Sequence, residues 1–338
     1  MFHSYCGCLL VCLVGASSVQ GGDAPGKPEV WMIPPPNVMF LSNGKMVTSG
    51  PGKQWRELFS DPEGWKETRS RIDVLGYWSH HFNAQFSDEE MARWLPMIAK
   101  WGLKMGFEVA AFRPAYKTGR ASYQWMQHDL ERFNRWGGKL YAIALDGPGE
   151  ILTRDYKASY KEAARETATF YALTRNTYPG IRIGVVEAYP AAGFDHGLWL
   201  DELQAALGAM NQPGPDFLRL DINVEHIVLG GKIFPASWQG VKKLEAACHQ
   251  RRIAFSLIVN DALISKFHHP LVADDMAYYM QAMGKAYDYT AVGGQPDQWV
   301  LESWEGAPAR STPETEAWTY TRSTRDFCRT FLPEHIRT

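Results

Sequence analysis

Past residue 28 the chain alternates between short, almost wholly apolar runs and longer segments in which apolar residues recur every three or four positions. The short runs are "EVWMI" (29–33), "IDVLGYW" (72–78), "KMGFEVAAF" (104–112), "KLYAIALD" (139–146), "IRIGVVE" (181–187), "DFLRLDINV" (216–224), "IAFSLIVND" (253–261) and "QWVLESW" (298–304). Apolar runs of this length predict strands buried on both faces, as in a parallel sheet covered by helices. The longer segments carry helix signals. Ser87 and Glu90 form a capping box opening "SDEEMARWLPMIAKWG", and Gly102 stands at its end. Pro62 suits the first turn of "DPEGWKETRSR", and further helices are predicted over 121–136, 157–177, 197–210, 235–251, 271–287 and 313–331.

Eight strand–helix units in a chain of 338 residues predict an α/β fold, a single-domain (β/α)8 TIM barrel. An open doubly wound sheet would call for a glycine-rich phosphate turn after an early strand, and none is present. The expected organisation is a signal peptide over 1–21, an N-terminal segment over 22–60 that includes the first barrel strand, and the rest of the barrel over 61–338. The leader "CGCLLVCLVGASSVQG" is apolar over a signal-peptide length and ends in small residues, with cleavage expected near Ser18 or Gly21. The expectation is a secreted or periplasmic protein with no membrane attachment once the leader is removed. Cys6, Cys8 and Cys12 would leave with it, and Cys248 and Cys328 remain as one disulfide or two buried thiols.

Composition narrows the partners. Hydrophobic residues are 45% and charged residues 21%, an ordinary globular balance. A net charge of −2 without a basic block argues against nucleic acid and anionic membranes. The unusual count is 13 Trp. Trp94, Trp101, Trp125, Trp136, Trp199, Trp238 and Trp318 fall in predicted helices and are expected to pack on the barrel wall. Trp78 and Trp304 end strands and are candidates to stack on the apolar face of a sugar ring.

In this fold the reactive groups project from the C-terminal ends of the strands. Those ends are rich in acids: Glu108, Asp146, Glu187, Asp221, Asp261 and Glu302, with Asn260 beside Asp261. The second run adds Tyr77, Trp78, His80 and His81. Glu108 has an alternative reading as a structural ion pair with Arg113 or Lys139, and Asp146 before "GPGE" has one as turn chemistry. Arg219 is taken to point away from Asp221. Glu187 has no turn-forming excuse and lies in an apolar strand, so it is the expected general acid. Asp146 and Asp221 on the flanking strands are the expected base or nucleophile. The remaining residues, Glu108, Tyr77, Trp78, His80, His81, Asn260, Asp261, Glu302 and Trp304, are assigned to substrate binding.

The strand-end pieces "IDVLGYW", "FEVAAF" (107–112), "IALDGP" (143–148), "IGVVEAYP" (183–190), "LDINVE" (220–225), "IVND" (258–261) and "VLESWEGAPARSTPET" (300–315) resemble, in order, those of exported bacterial (β/α)8 proteins of glycoside-hydrolase type. The resemblance implies cleavage of a poly- or oligosaccharide by a pair of carboxyl groups, with a carbohydrate as the partner and no metal or other cofactor. In that pattern an acid follows the fourth-strand Asp, whereas this chain has Gly147, a departure that also fits a non-catalytic carbohydrate-binding barrel. A further alternative is a Mg²⁺-dependent lyase or isomerase holding the ion on Glu108, Asp146 and Glu187.

Overall fold

The structure, a computed structural model, describes residues 26–36, 38–42, 45–223, 227, 236–259, 275–303 and 306–337. The leader 1–21 and the candidate residues Asn260, Asp261 and Trp304 lie outside the described residues.

Eight parallel strands close into a barrel: β1 (Glu29–Ile33), β2 (Val74–Trp78), β3 (Lys104–Val109), β4 (Leu140–Asp146), β5 (Arg182–Tyr189), β6 (Phe217–Ile222), β7 (Ala254–Val259) and β8 (Gln298–Glu302). Each pairs with its neighbour in sequence, and β8 returns to β1 with Ile33 opposite Glu302. The helices follow in alternation: α1 (Lys53–Ser60), α2 (Asp88–Lys100), α3 (Gly119–Arg135), α4 (Tyr160–Thr177), α5 (His196–Ala209), α6 (Trp238–Gln250), α7 (Asp275–Ala291) and α8 (Tyr320–Phe331). Every apolar run became a strand because burial on both faces leaves no place for a polar stripe. The predicted capping box at Ser87 and Glu90 is present, and a second one opens α4 at Ser159 and Glu162. A small antiparallel hairpin, Val38–Ser42 with Lys45–Ser49, is an addition that the Asn43–Gly44 pair could have signalled.

Alternation along the strands fills the lumen in layers. At the N-terminal end, the Glu29 carboxylate accepts from Trp31 Nε1 (2.9 Å), Tyr141 Oη (2.6 Å), Arg182 Nη1 (3.0 Å) and Gln298 Nε2 (2.9 Å), which closes that mouth with a hydrogen-bonded network centred on Glu29. Above it the Trp31 indole needs space, and β3 supplies it with Gly106, where a Cβ would come within 2.2 Å of the ring. The outer faces of the strands pack against the helices in one continuous apolar core. Cys248 and Cys328 are free and buried, so the disulfide alternative is set aside. Among the described residues no helix is long and apolar enough to cross a membrane.

Candidate active site

At the C-terminal mouth the inward positions of seven strands enclose a cavity of about 220 Å³ lined by Trp78, Glu108, Asp146, Val186, Asp221, Ile258 and Glu302. A larger space of about 500 Å³ opens at the other end of the barrel between α2 and α3, but its lining contains no carboxylate. The strand register explains the depth of each acid. Glu108 is level with Trp78 on β2 and Ala144 on β4, which puts it one layer below Asp146. Arg219 lies level with Val186 and Ser256, one layer below Asp221. Two residues apart on one strand means the same face, so Arg219 and Asp221 both point inward, contrary to the expectation that they diverge.

Arg219 is fully buried. Its guanidinium carbon stands 4.3 Å over the Trp31 ring, and Nε donates to Ser256 Oγ at 3.3 Å. Nη1 and Nη2 have no hydrogen-bond partner among the described residues, nor do Glu108 Oε2 and Glu302 Oε2. Glu108 Oε1 accepts from Trp78 Nε1 at 3.2 Å. Burial, reinforced by the Asp146 charge, pushes the Glu108 carboxyl up to about 8 against the pull of Arg219. Burial and the charge of Glu108 raise Glu302 well above the ordinary carboxylate range, again opposed by Arg219. Two buried carboxyls facing one buried guanidinium are electrically balanced when a single proton stays on the pair, because a second unpaired negative charge in that layer is costly.

Asp146 and Asp221 form the solvent side of the cavity, both only partly buried. Asp146 is ion-paired with Arg113, whose Nη1 also donates to the Ala111 carbonyl at 2.8 Å. Glu108 therefore has neither of the ionic partners proposed for it, Arg113 or Lys139; the first is taken by Asp146.

Glu187 is placed elsewhere. Its neighbour Val186 lines the cavity, so strand alternation turns Glu187 outward into the layer between β5 and the helices, fully buried. There it accepts from the backbone amides of Gly149 (2.8 Å) and Glu150 (3.1 Å), anchoring the "DGPGE" turn. Burial raises its pKa and the two amide donors hold it back. The structure thus separates Glu187 from Asp146 and Asp221, which it brings together, and also breaks up the set of Glu108, Asp146 and Glu187 that a Mg²⁺ site would use. Among the described residues no three His, Cys, Asp or Glu side chains converge in a metal-binding set. Gly147 acquires a backbone reason. Its φ of +60° is left-handed, it donates to the Val186 carbonyl at 2.8 Å, and an acid there would be strained.

Tyr77 faces outward as well, packed on Trp55 (4.9 Å between ring centroids) with its hydroxyl on Gln85 Oε1 at 2.8 Å. His80 and His81 begin a short helix, Ser79–Gln85, rather than lining the cavity, and their rings lie 4.0 Å apart. Burial, with the charge of His80 second, lowers His81 to about 4, and burial with the charge of Arg113 lowers His80. Both imidazoles are held neutral. Of the residues assigned to binding, Trp78, Glu108 and Glu302 line the cavity. Sequence reading missed Arg219. The available signal was a lone cation two positions before an acid in an otherwise apolar strand.

No protein-family model and no curated protein matches the chain. Solved structures do. A GH10 endoxylanase from a sugarcane soil metagenome superposes with a TM-score of 0.54 at 9% identity, covering 89% of this chain and 96% of that one. A sugar phosphate isomerase/epimerase from Parabacteroides distasonis gives 0.45 at 12% identity, covering 95% and 99%. A D-psicose 3-epimerase crystallised with D-fructose gives 0.44 at 12%, covering 80% and 93%. At these identities the likeness is one of fold, and the chain is a single-domain (β/α)8 TIM barrel.

Proposed function

We propose that this protein is a glycoside hydrolase that cleaves an oligo- or polysaccharide at the C-terminal mouth of the barrel. Glycoside cleavage needs one carboxyl that keeps its proton near neutral pH and a second, ionised carboxylate across the scissile bond. The observation that carries the reading is the pair Glu108 and Glu302, buried with Arg219 at the floor of an acid-lined cavity, where charge balance keeps one proton on the pair. That pair is the general acid. Asp146 and Asp221, one layer nearer solvent, supply the nucleophile or the base that activates water. Trp78 forms an aromatic wall for the apolar face of the sugar. Relative to the sequence expectation the acid moves from Glu187 to the lumen, and Asp146 and Asp221 keep their roles. The apolar leader over 1–21 makes export to the periplasm or medium part of the same proposal.

The test is a screen of the purified protein against aryl glycosides and soluble polysaccharides, with Glu302→Gln as the control. The reading expects reducing-end release by the wild type and at least a ~100-fold lower rate in the variant. Equal rates in the two proteins would remove Glu302 from the mechanism.

A further inference from the structure

Trp125 is a large aromatic residue whose exposure departs from its helical spacing. The buried stripe of α3 runs through Ser122, Met126, Asp129, Leu130 and Phe133, and Trp125 stands beside it with 42% of its surface exposed. Leaving so much indole in water is unfavourable, since apolar surface gains free energy on burial. The ring is not disordered packing. It stacks on Tyr116 with centroids 4.8 Å apart and planes within 14°.

Tyr116 leads back to the cavity. It forms a β-bridge with Arg113, the residue paired with Asp146 at the rim. The direction of this loop is set at Phe112, a buried residue held in the left-handed region (φ 54°) with its N–H on Ser122 Oγ at 3.0 Å. A non-glycine residue kept there marks a loop whose path is over-determined by its surroundings. The loop after β4 supplies the facing group, where the Lys117 ammonium lies 4.8 Å over the Tyr156 ring. Tyr116 on the loop after β3, Trp125 on α3 and Tyr156 after β4 therefore form an aromatic set joined to Asp146 through the Tyr116–Arg113 bridge and to each other through the Tyr116 stack and Lys117. The cavity itself, about 220 Å³, is smaller than the ~300–1,000 Å³ usual for ligand sites and has room for one sugar ring rather than a chain.

We propose that the Tyr116–Trp125 stack is an accessory glycan subsite. A sugar one or two units from the scissile bond lays its C–H face on the exposed Trp125 ring, and Tyr156 with Lys117 borders the path. The occupant is a chain of neutral pyranoses with mainly equatorial hydroxyls, whose axial C–H groups make a flat apolar face. This rests on the hydrolase reading and makes the substrate a polymer or long oligosaccharide.

Binding is measured without turnover, by native affinity electrophoresis of Glu302→Gln in gels containing barley β-glucan, arabinoxylan or glucomannan. Adding Trp125→Ala should weaken retardation by about tenfold, the size of a good aromatic contact, while Trp125→Phe restores most of it. In the otherwise wild-type protein, Trp125→Ala should raise KM for the same polysaccharide and leave kcat/KM for an aryl monoglycoside unchanged. No retardation by any of the three polymers, or equal retardation with and without Trp125, would overturn the subsite. An equal loss on the monoglycoside would overturn it too. Retardation that depends on Trp125 supports the subsite even where the wild type releases no reducing ends, an outcome that sinks only the hydrolase reading.

Discussion

Glu302 and Glu187 are both fully enclosed acids near the C-terminal ends of strands, yet their surroundings differ in kind. Glu187 lies outside the barrel wall and has two backbone amides on its oxygens, so its polar capacity is used by the fold. Glu302 and Glu108 lie inside, each with an oxygen lacking a hydrogen-bond partner among the described residues, and share their layer with a guanidinium whose terminal nitrogens are likewise unpartnered. Native proteins pair nearly all buried polar groups. A satisfied buried carboxyl is therefore explained by architecture, whereas a set of unsatisfied ones around a cavity is explained by what the cavity binds.

The contrast can be broken most forcefully at Arg219. Arg219→Met leaves the lumen carboxyls without their cation, and removing one partner of a buried charge set costs about 3–5 kcal/mol. Chemical denaturation should show that loss, and the alkaline limb of any pH–rate profile should move upward because both carboxyls then keep protons more firmly. Next in size, Glu302→Gln should lower kcat by at least ~100-fold, or about 2.7 kcal/mol, with the melting temperature kept.

The pH dependence sharpens the same point. Glu108 has a folded pKa of about 8 against an ordinary 4.5, and Glu302 is raised as well. Groups raised on folding bind more protons in the native than in the unfolded state, so their contribution to stability is complete at low pH and falls as pH climbs from about 4.5 through about 8. Thermal melts across that window should show the decline, to which the raised Glu187 also contributes, and Glu302→Gln should lessen it. In activity, the alkaline limb should centre near pH 8.

Glu187→Gln should behave in the opposite manner to Glu302→Gln. Its amide nitrogen would face a backbone N–H, and an unsatisfied buried donor costs about 1–3 kcal/mol. Stability should drop by that amount in a denaturant titration while kcat holds within a few-fold. The smallest effect belongs to Arg113→Gln. Its pair with Asp146 is partly solvent-exposed, and such pairs contribute about 0–1 kcal/mol, so only a slight change in the unfolding midpoint is expected.

Much of the barrel was legible in the sequence. Apolar runs eight times repeated, separated by helical periodicity and capping boxes, leave few folds that bury them all. The C-terminal rim was legible as well, since Trp78, Asp146, Asp221 and Glu302 end their strands facing the lumen. What failed was the assignment of faces. A strand buried on both sides has no polar face to set the phase, so Val186 and Glu187 were indistinguishable in "IGVVEAYP", and Tyr77 and Trp78 in "LGYW". The phase is fixed instead by neighbouring strands, through register pairs such as Val186 with Arg219 and Trp78 with Glu108. The same limit hid Arg219, whose partners come from β3, β7 and β8. The expectation that Trp residues of predicted helices pack on the wall holds for Trp94, Trp199 and Trp238, whereas Trp125 is exposed on α3 and Trp136 and Trp318 are exposed in turns just outside α3 and α8.

The most direct measurement compares kcat and unfolding free energy for the wild type, Glu302→Gln and Glu187→Gln on one substrate from the glycoside panel. The account predicts lost turnover with intact stability for Glu302→Gln, and intact turnover with lost stability for Glu187→Gln. The reverse pattern would return the chemistry to the outer face of β5 and contradict a reactive lumen.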